Sequence, residues 1–279
     1  MDDICGDLKR MAAQNVVSKK ELHSLIGKLG HCASLLIIMR PFLEPLWAAL
    51  YSTGSTNAPL NTVWTKQISN SLQWFQAFFT SRALPIERYF RLDAYLRQGT
   101  VVEIGTDAAP SGMGGWLTID GILTNYFATD ITEADEKIYG CPRGDSDGQQ
   151  LWEVLAILVA VDIWAPLWQQ HRIILKIRGD NVGALTLLIK MRPDNARMAI
   201  VARELALRLI ELSFPPDAIH TPGIAHVLAD KLSRIHAPGG SGSCTNLHPA
   251  IAQAVESVAP ARTPEWYRAL DYEPAVSRR

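Results

Sequence analysis

The sequence is poor in the features that staple small secreted domains. Its 279 residues hold four cysteines, Cys5, Cys32, Cys141 and Cys244, far apart and with no CxxC pair. That spacing argues against a structural zinc site and against a disulfide framework, and fits a reducing intracellular compartment, cytoplasm or nucleus. No apolar run is expected to reach the length of a membrane span: Leu35-Leu36-Ile37-Ile38-Met39 is stopped by Arg40-Pro41. The chain opens with Asp2 and Asp3 where a secretory leader would be basic, so neither a signal peptide nor a membrane partner is expected. Net charge is nearly absent too, at -1, and by itself selects no partner.

What the chain does have is core-forming material. At 48% hydrophobic residues it can build one large domain or two modest ones. Its charge is unevenly distributed. Lys and Arg outnumber Asp and Glu over 1–99, and the balance reverses over 100–237. An acidic module beside a mildly basic one fits a metal site next to a surface that holds nucleic acid. Ordinary scatter of solvated charge gives the same counts.

The first 60 residues read as helical. Ser18-Lys19-Lys20-Glu21 is a capping box, and Leu22, Leu25, Ile26, Leu29 and Ala33 follow at helical spacing, predicting a helix over 18–35. A second helix is expected over Phe42–Tyr51, a loop over 52–61, and a third helix over 65–81 with Ile68, Leu72, Phe75, Phe78 and Phe79 in the core. From residue 100 the period changes to that of strands, over 101–106, 113–120 and 122–129, with Asp120-Gly121 as a hairpin turn between the last two. An apolar helix over 149–164, a β-branched strand over 173–177, helices over 181–190 and 194–213, a short strand over 217–220 and a helix over 225–235 follow. The order predicts an α/β plan with a mixed sheet. Gly239-Gly240-Ser241-Gly242-Ser243 reads as a flexible linker into a tail with one helix near 249–258. The expected division is a helical module at 1–60, a helical connector at 61–99, the α/β domain at 100–237, and linker plus tail at 238–279.

Four acids stand in costly settings. Asp107 ends a strand and precedes a glycine-rich turn, Asp180 ends another, and Glu153 and Asp230 sit among apolar helix residues. A buried ionised carboxylate needs a partner, and a divalent cation is the usual one for a group of them. Two-metal phosphodiester hydrolysis needs this kind of convergence, because hard cations about 3.5–4 Å apart activate water and stabilise the leaving oxygen. Each acid also has an ordinary explanation. Glu153 can favour the positive end of its helix, Asp180-Asn181 can be a helix N-cap, Asp107 can be a turn residue, and Asp230 can pair with Arg234 at i+4. Their order and settings together favour a metal-dependent nuclease.

The residues that carry these acids resemble the ribonuclease H domain of retroelement reverse transcriptases, over roughly 100–236. The carriers are Thr106-Asp107-Ala108 with Gly112 and Gly114, Leu151-Trp152-Glu153, Gly179-Asp180-Asn181, and His220-Thr221-Pro222-Gly223 through Ala229-Asp230-Lys231-Leu232-Ser233-Arg234. The last stretch is the most specific and is similar to the ending of tyrosine-recombinase (DIRS-like) and related long-terminal-repeat elements. The resemblance implies an α/β, ribonuclease H-like mixed five-stranded sheet flanked by helices, preceded by the small helical module. It implies that Asp107, Glu153, Asp180 and Asp230 bind two Mg2+ or Mn2+ ions, and that the RNA strand of an RNA–DNA hybrid is hydrolysed. His220 matches the family's mobile-loop histidine, which assists proton transfer or product release; an imidazole suits that work near neutral pH. Two positions depart from the family: Ala109, where Ser is frequent, and His226, where Asn is usual.

Glu21-Leu22-His23-Ser24-Leu25-Ile26-Gly27-Lys28-Leu29 and Arg40-Pro41-Phe42-Leu43-Glu44-Pro45-Leu46 resemble the thumb and connection region of the same elements. This implies the polymerase palm and fingers of one polyprotein as a partner. Met1-Asp2-Asp3-Ile4 invites comparison with the polymerase's paired aspartates, and a small helical bundle with a basic rim is the plainer alternative. Asn181, His226, Lys190 and Arg197, with Arg192, Arg203 and Arg208, are candidates for contact with the hybrid, its phosphates supplying sequence-independent affinity. Two rivals remain. One is a DNA-cutting transposase or integrase of the same fold; the other is a decayed remnant that binds nucleic acid or scaffolds a partner.

Overall fold

The computed structural model describes residues 2–52, 57–80, 96–167, 173–209, 216–237 and 249–268. These fall into two compact units, one built on the N-terminal helices with 191–199, the other holding the sheet, its helices and residues 249–267.

In the first unit, α1 (Asp2–Ala12), α2 (Lys19–Leu35), α3 (Arg40–Tyr51) and α4 (Thr65–Phe79) pack together, and β1 (Val16–Ser18) pairs antiparallel with β2 (Thr62–Trp64). The expected Ser18 cap is present: its hydroxyl accepts from Glu21 N at 3.1 Å and donates to the Glu21 carboxylate at 2.7 Å. Pro41 opens α3, where its missing N–H costs nothing. Phe42 meets Trp74 and Phe78 with ring centroids 5.1 Å apart, so α4 belongs to the core of the leading module. The expected boundary at 60/61 therefore does not separate a connector from that module; aromatic packing joins them. The Asp2-Asp3 pair lies in the first turn of α1, with Asp3 and Asp7 both ion-paired to Lys28.

The second unit is a mixed α/β layer. Strands β3 (Thr100–Ala108), β4 (Gly112–Ile119) and β5 (Ile122–Asp130) form an antiparallel meander, and β6 (Ile173–Gly179) and β7 (Asp217–His220) extend it in parallel from β3. Asp120 (φ 48°) and Gly121 (φ 80°) make the expected hairpin turn, both in the left-handed region that such a turn demands. Helix α5 (Glu133–Tyr139), which local pattern did not reveal, is held by a capping box between Thr132 and Asp135. Helix α6 (Gln149–Trp164) packs on β3 and β4, followed by α7 (Val182–Lys190), α8 (Ala196–Leu209) and α9 (Val227–Ser233), the last packed on β3, β4 and β5.

Three expectations are corrected. The sheet has six strands, not five, because β8 (Val255–Glu256) pairs parallel to β5 and gives the order β7-β6-β3-β4-β5-β8. The helix expected near 249–258 is a single 3-10 turn (Pro249–Gln253) leading into that strand. Residues 249–267 thus complete the sheet unit, docked by Ile251 in its core and Arg262 buried on Asp135, while the glycine-rich run at 239–243 lies outside the described residues. Finally, Ser146–Leu167, 22 residues with mean hydropathy 1.6, is long and apolar enough to cross a bilayer. Most of it is covered by protein: α6 is apolar all round because it is buried all round.

Candidate metal centre

Asp107 is delivered by β3, whose hydrogen bonds to β4 and β6 fix its direction. Glu153 projects from the second turn of α6, and Asp180 follows the last residue of β6. These elements come from three separate stretches of chain, yet one ligand oxygen from each carboxylate lies within 4.8 Å of the others. Among the described residues no other group of His, Cys, Asp and Glu converges in this way.

The two inner acids are deeply desolvated, Asp107 at 5% and Glu153 at 4% exposure, whereas Asp180 is open to solvent. Burial pushes the Glu153 carboxyl up to about 9, with the charges of Asp107 and Asp180 adding to the rise and Gln149 opposing it. Burial also lifts Asp107 to about 6; the Ser233 hydrogen bond opposes this, and Asp180 and Asp230 reinforce it. A set of hard oxygen donors, repelling one another in a dry setting, is the donor chemistry that Mg2+ or Mn2+ takes. The residues present fit such a cation.

Two donors steady the buried acids. Gln149 Nε2, one turn before Glu153, donates to Glu153 Oε1 at 3.2 Å and to the Ala108 carbonyl. Ser233 Oγ donates to Asp107 Oδ2 at 2.6 Å. Neither was among the expected site residues. Ser233 stood inside the quoted motif, and Gln149 faces Glu153 at i−4.

The other candidates are placed unevenly. The Asp230 carboxylate pairs with Arg234 Nε at 2.7 Å and is not part of the converging set. His220 lies beside Asp180, its Nε2 donating to the Asp180 carbonyl at 3.2 Å, and a Cβ on Gly223 of the same loop would lie 3.4 Å from Asp180 Oδ2. His226 is buried and its Nε2 bonds the Thr106 carbonyl at 2.7 Å; a carbonyl only accepts, so this nitrogen carries the proton. Asn181 Oδ1 caps α7 by accepting from Ala184 N at 3.0 Å. Lys190 ends α7, and Arg197 falls in the unit of the N-terminal helices. Arg208, expected on a surface facing the hybrid, is buried against Asp162, Glu204 and the Trp266 ring, because α8 needs a cation where it packs two acids.

No known family matches this chain, and none of the curated proteins does. Among solved structures, a ribonuclease H1 (LC11) isolated from compost by a metagenomic approach is similar at 13% identity and TM-score 0.33, covering 48% of this chain and 91% of that one. A foamy viral protease-reverse transcriptase in complex with double-stranded DNA is similar in two structures. One has 14% identity and TM-score 0.29, covering 75% of this chain; the other has 14% identity and TM-score 0.28, covering 79%. This chain spans 36% and 41% of the length of those two viral chains.

Proposed function

We propose that this protein is a divalent-metal-dependent ribonuclease that hydrolyses the RNA strand of RNA–DNA hybrids. The observation that carries the reading is the convergence of Asp107, Glu153 and Asp180 within 4.8 Å, two of them buried. Two bound Mg2+ or Mn2+ ions would supply the Lewis acidity that phosphodiester hydrolysis requires. The chain's own part is to hold and orient. Asp107 and Glu153 offer fixed oxygens, each steadied by one side-chain donor, and Asp180 offers an accessible one. Asp230 lies on the neighbouring helix and would join as the fourth ligand on leaving Arg234. His220, exposed beside Asp180, would move a proton at its Nδ1 while Nε2 stays on the carbonyl. The hybrid would be recognised by shape and by 2′-hydroxyls, with Asn181 and Lys190 as the proposed contacts; His226, buried on the Thr106 carbonyl, would instead hold the loop before α9. The resemblance of residues 21–46 supports the palm and fingers of a reverse transcriptase as partner.

The ion pair of Asp230 with Arg234 favours a second reading, in which the site binds nucleic acid without turnover or cuts DNA with three carboxylates. One experiment separates these. Purified protein is given an end-labelled RNA–DNA hybrid, duplex DNA or duplex RNA with Mg2+ or Mn2+, and the assay is repeated with Asp107→Asn and Asp180→Asn. Cleavage of the hybrid alone, reduced by at least about 100-fold in both variants, is expected. Cleavage of duplex DNA, or binding without cleavage, overturns the reading.

A further inference from the structure

Helix α9 ends on strand β4 at two positions that have no side chain. A Cβ on Gly114 would lie 2.5 Å from Leu232 Cβ and 2.7 Å from Ser233 N, and one on Gly112 would lie 2.8 Å from the Ser233 carbonyl. Most of these neighbours are backbone and cannot turn aside, so the close seat of α9 requires glycine at both positions. Gly114 is also the register partner of Asp107. The seat therefore sets Ser233 directly over the carboxylate, with Oγ 2.6 Å from Asp107 Oδ2 and 2.9 Å from the Asp230 carbonyl. The hydroxyl has one proton for two acceptors, and an ionised carboxylate is the stronger of them. Ser233 is buried, so water does not compete for that proton.

We infer that Ser233 is the positioning residue of Asp107. Its hydrogen bond holds Oδ2 and would leave Oδ1 for a cation, fixing the direction in which Asp107 offers its charge. Gly112 and Gly114 act through it, as the seat that holds α9 against the sheet. The inference rests on reading the three carboxylates as a cation site.

The test is Mn2+ titration by calorimetry, with thermal unfolding of the metal-free protein measured alongside. Ser233→Ala is expected to weaken Mn2+ binding by about 10- to 100-fold while still folding, and Ser233→Thr, which keeps the hydroxyl, to stay near wild type. If Ser233→Ala does not fold, Ser233→Cys, of similar size but a weak donor, is expected to show the same loss. Wild-type Mn2+ affinity in the Ala or Cys variant overturns the inference, as does an equal loss in the Thr variant. Failure of the wild-type protein to bind Mn2+ at all, or binding that survives Asp180→Asn, instead overturns the cation site itself.

Discussion

Two of the places where the sheet unit buries carboxylates are treated in opposite ways. Asp135 is fully buried and meets the Arg262 guanidinium at 2.9–3.0 Å, the Thr132 N–H and hydroxyl at 2.8 Å, and the Tyr267 hydroxyl at 3.3 Å. Glu153, nearly as buried, has a single side-chain donor in Gln149 and two acidic neighbours. A buried charge persists only where something compensates it. At Asp135 the fold supplies the counter-charge from its own chain, 127 residues away in sequence. At Glu153 it supplies more negative charge. The first arrangement closes a structure, fixing residues 249–267 to the sheet. The second leaves a place for a cation from outside.

The sharpest way to break this comparison is to remove the internal cation. Arg262→Ala leaves Asp135 charged and buried, and is expected to cost about 3–5 kcal/mol of unfolding free energy. For a unit of this size that lowers the midpoint by roughly 10 °C in thermal denaturation followed by circular dichroism. Asp135→Asn added to Arg262→Ala should recover part of the loss, because the uncompensated charge is gone. Mn2+ affinity of the folded fraction should be unchanged, since Arg262 holds the tail and not the triad. Equal stability of Arg262→Ala and wild type would show that this pair does not anchor the segment.

The second test acts on the other side. Glu153 has its folded-state carboxyl raised from 4.5 to about 9, so the folded form keeps a proton that the unfolded chain has lost. Stability of the metal-free protein should therefore be fully present below about pH 4.5, fall as pH rises, and level off above about 9. Asp107 adds a smaller decline between 3.8 and about 6. At pH 7 the Glu153 penalty amounts to about 3 kcal/mol, and Glu153→Gln is expected to remove most of it. Mg2+ should flatten the wild-type pH profile and leave that of Glu153→Gln nearly unmoved. A metal-free wild type whose stability rises between pH 5 and 8 contradicts this account.

How far the sequence reveals such differences depends on how local the cause is. Helix α2 is legible because Ser18 and Glu21 cap it three residues apart, and the β4–β5 hairpin because Asp120-Gly121 alone satisfies its turn. Helix α6 and strand β6 announce themselves by apolar run and branching. Strands β1 and β2 have three residues each and exist only by pairing across 46 positions, Val17 with Val63. Strand β8 has two residues and depends on β5 for its whole definition. Within the site, the identity of the acids is legible, since a carboxylate among Leu151, Trp152, Val154 and Leu155 is conspicuous. Which of them meet is not, because convergence is decided by how β3, β6 and α6 pack. Ser233 was hidden for the same reason: its partner Asp107 is 126 residues away.

Asp230 lies between the two treatments, and it provides the smallest expected effect. Its carboxylate has a cation of its own in Arg234, but the pair is exposed, at 43% and 57% of side-chain surface. Such a pair contributes little, because water screens it and two flexible side chains must be held. Arg234→Ala should therefore change unfolding free energy by no more than about 0.5 kcal/mol. Its effect on cation binding is the informative one. If Asp230 serves the same cations as Asp107, the arginine competes with them for its oxygens, and removing it should tighten Mn2+ binding by about 2-fold, the equivalent of that same 0.5 kcal/mol. Unchanged affinity would place Asp230 with Asp135, as an acid whose counter-charge is internal. A site of three carboxylates would then remain, and the asymmetry between the inner acids and the rim would be complete without a fourth ligand.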